Sequence, residues 1–400
     1  MIGFNADLTV LDISRLWARR DRPSPSGIDR LELQTAEHGL KHNTLFFVAS
    51  GPRRFFLSKH EVCLLTEYLR DKWTRGPINQ GSLIDRLARV IGLAEAHTVL
   101  SADHPAGSPT VNLPDHGRIN AWHRLRRGER YIGAYANGSV QYMNVSHQHL
   151  EKLDALQALK DRWRARFTIY WHDAIPLTFP EYAAPQEPKR HRLRLMTALT
   201  LADELLVNSE ATKEELLALA AREGAAVPPI DVRPLVPEFP GPEHTTVIAT
   251  AKPYFVTIGT IEPRKNHLLL LQIWREMADA LGEACPALVI IGMRGWLNEG
   301  TFAMLDHCRA IKPYVIEAAG LSDRHVATLL KGANALLFPS FAEGFGLPLL
   351  EAQQMGTPVI ASDLPVFREI AVSPFRSLSP LDGKAWKDAV LEAAKLSSSW

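Results

Sequence analysis

The second half of this chain alternates between short apolar strands and helical stretches, and no other feature constrains its fold as strongly. The pattern predicts strands at 254–259, 287–292, 314–317, 335–339 and 358–361. Helices are predicted between them at 267–282, 299–309, 323–331 and 347–355. Such alternation builds strand–helix–strand units with a parallel sheet. Ligands of these sheets bind beyond the carboxyl ends of the strands, so the residues that follow each strand are the first site candidates.

The strand at 335–339 is followed by a turn suited to an anion. Gly344 and Gly346 allow a tight turn, and Pro348 suits the first turn of the helix that follows. The backbone N–H groups of such a turn can converge, and a helix N-terminus adds roughly half a positive charge. The turn is therefore predicted to hold phosphate.

Two carboxylates bracket this turn, Glu343 directly before it and Glu351 one turn inside the helix. Phosphate alone does not favour two acids so close to it. A sugar diphosphate does, because its hydroxyls and its reacting glycosyl centre need acceptors beside the phosphate cradle. The alternative is an ordinary strand–turn–helix with two solvated glutamates.

The strand at 254–259 ends in a basic loop. Gly259 closes the strand, Arg264 and Lys265 lie in the loop, and a helix follows from about His267. An arginine fork beside a compact lysine charge suits a diphosphate leaving group. An exposed basic turn is the alternative for this loop taken by itself.

The two motifs together resemble the signature of the retaining family-4 glycosyltransferases. The resemblance rests on Ser340–Ala352, with seven residues between its glutamates, and on the loop Gly259–Asn266. It covers the second half closely, 167–215 in part and the first 165 residues weakly. It implies an α/β chain with the GT-B fold, in which two doubly wound Rossmann-like domains face a central cleft.

A proline-rich segment separates the two predicted domains. Seven prolines fall between Val227 and Pro253, which favours a stiff linker with little regular structure. The predicted order is an N-terminal acceptor-side domain, a linker, a C-terminal nucleotide-sugar domain and a helix packing back toward the N-terminal domain. Their boundaries are 1–240, 241–253, 254–380 and 381–400.

The resemblance implies roles in the C-terminal domain. Arg264, Lys265 and the amides of 344–347 would hold the diphosphate as it leaves, and Glu343 would face the sugar hydroxyls and the anomeric carbon. Many family members carry arginine where this chain has Thr260, so the positive charge that holds the diphosphate would come from Arg264 and Lys265. The predicted donor-binding residues are Gly259, Thr260, Gly344, Phe345, Gly346, Leu347, Glu351 and Gly27.

The resemblance also implies roles in the N-terminal half. His172 follows the strand at 167–171 and is predicted to hydrogen-bond a sugar hydroxyl, with a core or capping histidine as the alternative. Gly27 lies in a loop where prolines replace the family's paired glycines. Ser209 is predicted to cap a helix. The acceptor-side candidates are Arg30, Asp173, Ser146 and His147, and for His147 a buried hydrogen-bonding role is equally compatible.

Composition excludes several classes of protein. The net charge of +1 argues against nucleic acid as the main partner. No apolar run is long enough to span a membrane, and the N-terminus does not resemble a secretory signal. Three widely spaced cysteines fit a reducing compartment without a zinc site. No Asp-x-Asp motif marks a donor site, so neither a metal nor a cofactor is expected, and the cytoplasm is the predicted location.

Basic residues crowd several segments of the N-terminal half, with two tryptophans among them. A solvated helical face is one interpretation, and peripheral contact with anionic lipid at the inner face of the cytoplasmic membrane is the other. The residues are Arg124, Arg126, Arg127, Arg130, Lys160, Arg162, Arg164, Arg166, Lys189, Arg190, Arg192 and Arg194, with Trp122 and Trp163.

The predicted function is a retaining, metal-independent hexosyltransferase acting from a nucleotide diphosphate sugar to a saccharide or lipid-linked saccharide in surface polysaccharide synthesis. The basic loop resembles that of mannosyltransferases of bacterial surface polysaccharides, which favours GDP-mannose. The alternatives are a non-catalytic nucleotide-sugar-binding subunit of a polysaccharide assembly complex and a GT-B nucleotide-sugar epimerase. A nicotinamide dehydrogenase is excluded because no Gly-x-Gly-x-x-Gly follows a strand.

Overall fold

The chain contains two sheets, each with its own hydrophobic core. The computed structural model describes residues 2–4, 6–22, 24–75, 81–93, 120–135, 138–236, 238–248 and 250–395. The chain divides into two compact units. The first unit lies within 1–72 and 107–236, and the second lies within 73–106 and 237–400. The predicted α/β class with two Rossmann-like domains is confirmed.

The first unit contains a seven-stranded sheet in the order β3-β2-β1-β4-β5-β6-β7. The β2–β3 pair is antiparallel, and the other neighbouring strands pair in parallel. Every residue of the central strands β1 and β4 is buried, as expected for a sheet covered on both faces. The strands are β1 Leu8–Asp12, β2 Thr44–Ser50, β3 Arg53–Leu57, β4 Val140–Asn144, β5 Arg166–Trp171, β6 Glu204–Val207 and β7 Ile230–Val232.

Helices connect these strands, and short polar caps set where several of them begin. Ser26 and Asp29 form a reciprocal capping box at the start of α2. Ser209 Oγ accepts from the Thr212 amide at 3.0 Å, which caps α9 as predicted. The helices are α1 Ser14–Arg19, α2 Gly27–Leu40, α3 Lys59–Arg75, α4 Gly81–Ile91, α5 Ala121–Gly133, α6 Leu153–Trp163, α7 Ile175–Thr178, α8 Glu187–Leu201 and α9 Glu210–Glu223.

The second unit contains a six-stranded parallel sheet in the order β10-β9-β8-β11-β12-β13. The chain runs outward from β8 to β10 and then returns to β11, so the strand order reverses between β8 and β11. Ligand sites of doubly wound sheets lie at this switch point. The strands are β8 Tyr254–Ile258, β9 Ala287–Ile291, β10 Val315–Glu317, β11 Ala335–Phe338, β12 Val359–Ser362 and β13 Arg376–Leu378.

The core of the second unit includes the fully buried Trp274 and Trp386, and six described α-helices follow β8. They are α10 His267–Leu281, α11 Glu299–His307, α12 Asp323–Gly332, α13 Leu347–Gln354, α14 Pro365–Ile370 and α15 Gly383–Ala393. Among the described helices, none is both long enough and apolar enough to cross a bilayer.

Helix α4 belongs to the second unit, although its sequence lies within the predicted N-terminal domain. Ile84, Leu87, Ala88 and Ile91 are buried along one side of α4, which packs against the edge strand β10 and its neighbour β9. Their spacing is that of an apolar stripe on a helix. The Gly92 carbonyl then accepts from a backbone amide of the proline-rich segment, at 3.0 Å. Sequence order therefore does not match the division into units here.

The two segments that flank the C-terminal domain in the predicted organisation both pack on the second unit. Lys331 of α12 donates to the carbonyls of Pro242 and Thr245, at 2.5 and 2.6 Å, which ties down the predicted linker. The buried residues of α15 contribute to the second core, next to α10. The expected packing of the last helix toward the N-terminal domain stays a prediction.

Helix α5 contains two glycines in different surroundings, and we expect opposite effects from replacing them with alanine. A Cβ at Gly128 would lie 2.1 Å from the buried Phe56 ring, whereas a Cβ at Gly133 meets nothing within 4 Å. Gly128→Ala should cost about 1–3 kcal/mol of unfolding free energy through overpacking. Gly133→Ala should gain about 0.5–1 kcal/mol from helix propensity. Urea unfolding of both variants measures this, and equal stabilisation by both would contradict the packing of Gly128 on Phe56.

Candidate functional site

Two glycines bring the backbones of β8 and β9 close together at the carboxyl edge of the second sheet. A Cβ at Gly292 would lie 1.9 Å from the Gly259 carbonyl oxygen. Gly259 has a φ of 145°, and a Cβ there would lie 2.9 Å from Lys265 Cε. Side chains at these positions would displace the backbone or the lysine. The glycines therefore leave the space in which Lys265 lies.

The basic pair lies in a 3₁₀ turn, Pro263–Lys265, which joins β8 to α10. Asn266 ends the turn in a left-handed conformation, and its side chain donates to the Pro380 carbonyl at 3.0 Å. The Arg264 carbonyl accepts from the Phe341 amide at 2.8 Å. The loop after β8 is thus joined to the loop after β11 through the backbone as well as through side chains.

Five side chains form the Glu343 cluster at this switch point: Glu262, Arg264, Lys265, Ser340 and Glu343. One carboxylate oxygen of Glu343 accepts from Lys265 Nζ at 2.5 Å and from Ser340 Oγ at 2.7 Å. The other accepts from Arg264 Nη1 at 2.8 Å. Arg264 Nε lies 2.5 Å from Glu262 Oε1. Two cations and two carboxylates are therefore joined in one network.

Burial opposes ionisation throughout this cluster, and the ion pairs outweigh burial at Glu343. Burial would raise the pKa of Glu343, but the charges of Arg264 and Lys265 outweigh it and hold the pKa at about 2. Burial lowers the pKa of Lys265 against the attraction of Glu343. Burial also raises the pKa of Glu262. Glu343 is therefore ionised at neutral pH, and its exposure is 6% against 21% for Arg264.

His267 follows the basic pair as the first residue of α10 and is buried. Neither of its ring nitrogens has a hydrogen-bond partner among the described residues. Burial, with the nearby charges of Lys265 and Arg264, lowers its pKa to about 3. The ring is therefore neutral and adds no third positive charge beside the cluster.

The predicted phosphate turn lies directly before α13. Gly346 occupies the N-cap position with a φ of 112°, and a Cβ there would lie 2.6 Å from the Phe367 ring. Phe345 is buried before it, and Leu347 begins the helix. Glu351 lies on the second turn and is also buried. Gly346 therefore occupies a backbone conformation that favours glycine, and phosphate binding by the turn stays a prediction.

The structure brings the predicted residues of the second unit to one edge of its sheet. Gly259 and the exposed Thr260 follow β8, and Glu343, Gly344 and the turn follow β11. Sequence reasoning missed Glu262 and Ser340. Both could have been found from their spacing, because an acid two residues before Arg264 and a hydroxyl three residues before Glu343 are placed to pair with them.

In the first unit, His172 lies at the carboxyl end of β5 within a group of buried rings. Its backbone amide donates to His147 Nε2 at 3.0 Å, and its Nε2 donates to the Val145 carbonyl at 2.7 Å. The ring centroids of His147 and His172 are 5.1 Å apart, and those of His147 and His191 are 5.4 Å apart. His191, which the sequence analysis missed, donates from Nε2 to the Asp173 carbonyl at 2.9 Å.

These contacts determine what His172 can do. Because a carbonyl can only accept, His172 carries its proton on Nε2 and leaves Nδ1 as a hydrogen-bond acceptor. Burial lowers the pKa of His172 to about 4, and burial also lowers the pKa of His147 and of His191. His172 is therefore a neutral acceptor at pH 7, which suits a hydroxyl donor better than proton abstraction.

The acceptor-side candidates have structural roles in the first unit. His147 is buried and accepts from the His172 amide, with a φ of 59°. Asp173 Oδ1 accepts from the Ile175 amide at 3.2 Å. Ser146 Oγ is buried and has no partner within the described residues. These contacts favour a supporting position for His147 and Asp173, and their functional assignment stays a prediction.

The loop before α2 is held by ion pairs. Asp29 is buried and accepts from Arg15 Nε at 2.8 Å and from Arg19 Nε at 3.1 Å. Gly27 is the first helical residue and lies inside the capping box, and Arg30 is half-buried in the same turn. The predicted donor and acceptor roles of Gly27 and Arg30 stay predictions.

No group of three or more His, Cys, Asp or Glu residues within the described parts of the chain is arranged to hold a metal ion. The predicted metal independence is not tested by this observation.

Residues 244–395 match the family model described as glycosyl transferases group 1. The matched region includes the Glu343 cluster, the glycine turn and Glu351. The predicted resemblance to glycosyltransferases is therefore confirmed over this region. Assignment to family 4 and retention of configuration stay predictions.

Two curated relatives are mannosyltransferases of Escherichia coli. The serotype-specific mannosyltransferase WbdA is 32% identical over 219 residues, which cover 50% of this chain and 26% of the relative. O-antigen chain mannosyltransferase B is 27% identical over 242 residues, which cover 59% of this chain and 62% of the relative. The alignments thus span about a quarter of the first relative's length and less than two thirds of the second's.

A solved structure of Anabaena Alr3699/HepE in complex with UDP resembles this chain with a TM-score of 0.58 and 12% identity. The match covers 97% of this chain and 90% of that one. At this identity the likeness shows the fold alone. The predicted GT-B fold is confirmed.

Replacing Glu343 with glutamine should destabilise the protein by about 3–5 kcal/mol at pH 7, because Lys265 is then left buried without its partner. The folded-state pKa of Glu343 lies below its usual value near 4.5. Its stabilising contribution is therefore present above pH 4.5 and is lost as the pH falls toward 2. Urea unfolding from pH 7 to pH 3 should show the difference between wild type and Glu343→Gln becoming smaller.

The matched control is Glu276→Gln, which breaks the exposed pair with Lys387. Its cost should be about 0–1 kcal/mol. Equal costs for Glu276→Gln and Glu343→Gln would contradict the burial of the Glu343 cluster.

The His172 ring should stay neutral from pH 8 to about pH 5, with its proton on Nε2. NMR of histidine-labelled protein measures both properties, and His172→Asn assigns the signal. Since the folded pKa is below the unfolded value of 6.5, the neutral ring's contribution to stability is lost as the pH falls from 6.5 toward 4. A titration midpoint near 6.5, or a proton on Nδ1, would contradict the hydrogen bond to Val145.

Proposed function

We propose that this protein is a retaining hexosyltransferase that moves mannose from GDP-mannose to a saccharide or lipid-linked saccharide acceptor of a bacterial surface polysaccharide. The observation that carries the proposal is the buried pairing of Glu343 with Arg264 and Lys265 at the switch point of the second sheet. The match of this region to the glycosyl transferases group 1 model supports it.

The two cations have different exposures, and this difference assigns them different tasks in the proposal. Arg264 is 21% exposed and Lys265 is 8% exposed. Arg264 would contact the departing diphosphate directly, together with the amides of 344–347. Lys265 would hold Glu343 ionised and in place. Preorganised donors of this kind typically stabilise a transition state by ~3–4 kcal/mol each.

Glu343 would face the sugar. Lys265 and Ser340 hold one of its oxygens and Arg264 the other, so the carboxylate is already oriented before a ligand binds. It would accept from sugar hydroxyls and oppose the positive charge that grows at the anomeric carbon. Glu351 would accept from the ribose hydroxyls, and His172 Nδ1 from a sugar hydroxyl.

In the proposed reaction the bond between the anomeric carbon and the diphosphate oxygen breaks, and the acceptor oxygen bonds to the same face of the sugar. The acceptor proton passes to a phosphate oxygen of the leaving group. Neutral His172 is not required as a base. Arg264 and the helix N-terminus would replace a metal ion, so we propose that transfer is metal-independent.

The choice of mannose rests on the relatives. WbdA and O-antigen chain mannosyltransferase B are named as mannosyltransferases, and the first aligns with half of this chain. A lipid-linked acceptor would place the protein at the inner face of the cytoplasmic membrane, as a peripheral protein.

Thermal unfolding with GDP, UDP or ADP tests the donor site. A nucleotide at a hundred times its dissociation constant should add ~2.7 kcal/mol to the unfolding free energy. We expect GDP to stabilise the protein selectively, with no effect of EDTA. Glu351→Ala should weaken this stabilisation, and Arg275→Ala, which alters an exposed arginine of α10, should leave it unchanged.

Measuring the release of GDP from GDP-mannose distinguishes an enzyme from a non-catalytic binding subunit. Turnover that is lost in Glu343→Gln while GDP still binds would support catalysis. Nucleotide binding without release of GDP under any acceptor condition would favour the non-catalytic subunit. No response to any nucleotide would overturn the donor-site assignment.

A further inference from the structure

Six of the basic residues that crowd the N-terminal half are neutralised by carboxylates within the first unit. Trp163 is buried in the core with 4% exposure, so it takes no part in a surface. The pairs are Arg124 with Glu61, Lys160 with Asp203, Arg162 with Glu129, Arg190 and Arg194 with Glu151 and Glu187, and Arg192 with Glu223.

Helix α5, which carries Arg124, contains three more of these basic residues. Its residues Arg126, Arg127 and Arg130 are exposed, and none of them has a carboxylate partner in the described part of the chain. The acid on this helix, Glu129, is held by Arg162 at 2.9 Å. Among the described residues, no ion pair therefore compensates these three positive charges, in a chain whose net charge is +1.

These arginines share one face of α5 with exposed aromatic and imidazole rings. Trp122, Arg126 and Arg130 follow each other at four-residue spacing, and His123, Arg127 and Tyr131 form the next row. Trp122 is 62% exposed, and the Arg126 guanidinium lies 3.9 Å from its ring centroid. We define these six residues as the α5 outer face.

The opposite side of α5 anchors the helix to the sheet. Ile132 is buried in the first core, and Gly128 lies against the Phe56 ring of β3. Arg124 Nη1 lies 2.8 Å from Glu61, and Asn120 caps the helix start. These contacts anchor the helix, and Tyr131 of the outer face also donates to Asn43 Oδ1 at 3.2 Å.

We propose that the α5 outer face is a binding surface for anionic phospholipid headgroups. Arginines attract the negative headgroups, while Trp122 and Tyr131 suit the boundary between headgroups and acyl chains. This proposal names the surface for the membrane contact in the proposed function and rests on that function. Its test requires no donor sugar.

The composition of this face favours a lipid surface over nucleic acid. A chain with a net charge of +1 lacks the overall basic character of a nucleic-acid-binding protein. Trp122 is already stacked with Arg126, an amphipathic pair that can enter the headgroup layer together. Free phosphate would not contact the exposed aromatic rings favourably, whereas a lipid surface would.

Vesicle sedimentation of the full chain tests the proposal. We expect binding to vesicles that contain phosphatidylglycerol and little binding to phosphatidylcholine alone, with a loss of binding at high salt. Each arginine removed should weaken binding about fivefold, and the triple variant Arg126→Ala/Arg127→Ala/Arg130→Ala roughly a hundredfold. Trp122→Ala should weaken binding while leaving the salt dependence unchanged.

The matched control is the triple variant Arg192→Ala/Lys213→Ala/Arg222→Ala, which removes the same charge from exposed or half-exposed positions of α8 and α9. It should bind vesicles like wild type, and circular dichroism should show that all variants are folded. Absence of wild-type binding, or equal losses in both triple variants, would overturn the proposal. Binding to single-stranded RNA or inorganic phosphate but not to vesicles would also overturn it. Retained release of GDP from GDP-mannose without vesicle binding would leave the proposed function intact.

Discussion

The buried ion pair between Lys265 and Glu343 is the interaction on which the rest of the second unit's site depends. It joins two loops whose residues are 78 positions apart in the chain. Each partner alone would be costly to bury. Together they fix the ionisation of both groups before any ligand arrives, so neither loop can move away without exposing an unpaired buried charge. The exposed part of Arg264 is then the portion of the cluster that solvent and ligands can reach.

This pairing is possible only because the backbone leaves room for it. The strand order places β8 beside β11, which brings the two loops to one edge. Gly259 and Gly292 then let the strands end close together, and Lys265 lies over Gly259. A parallel sheet with its switch point here provides the edge, and two positions without a Cβ provide the space. The ion pair between Lys265 and Glu343 therefore depends on the position of β8 beside β11.

Sequence reasoning found the residues that lie in contiguous motifs. Arg264, Lys265, Glu343 and the glycine turn follow strong apolar strands, so local pattern was enough. It missed Glu262 and Ser340, although each lies within three residues of its partner and local spacing could have indicated both. Trp163 was assigned to the basic surface although it is buried, and α4 was assigned to the N-terminal domain although its apolar stripe packs on β10. The short strand β13 had too little pattern to predict. Long-range packing decided the positions of Trp163 and α4.

The two units differ in the protonation states of their buried titratable groups. In the second unit, burial acts on groups that carry charge, and oppositely charged neighbours keep Glu343 ionised. In the first unit, burial acts on His147, His172 and His191 with no carboxylate strong enough to offset it, so the rings stay neutral. Ionised carboxylates oppose positive charge, whereas neutral imidazoles accept hydrogen bonds from hydroxyls. In the proposed reaction, the first property would serve the reacting centre and the second the groups that orient the sugar.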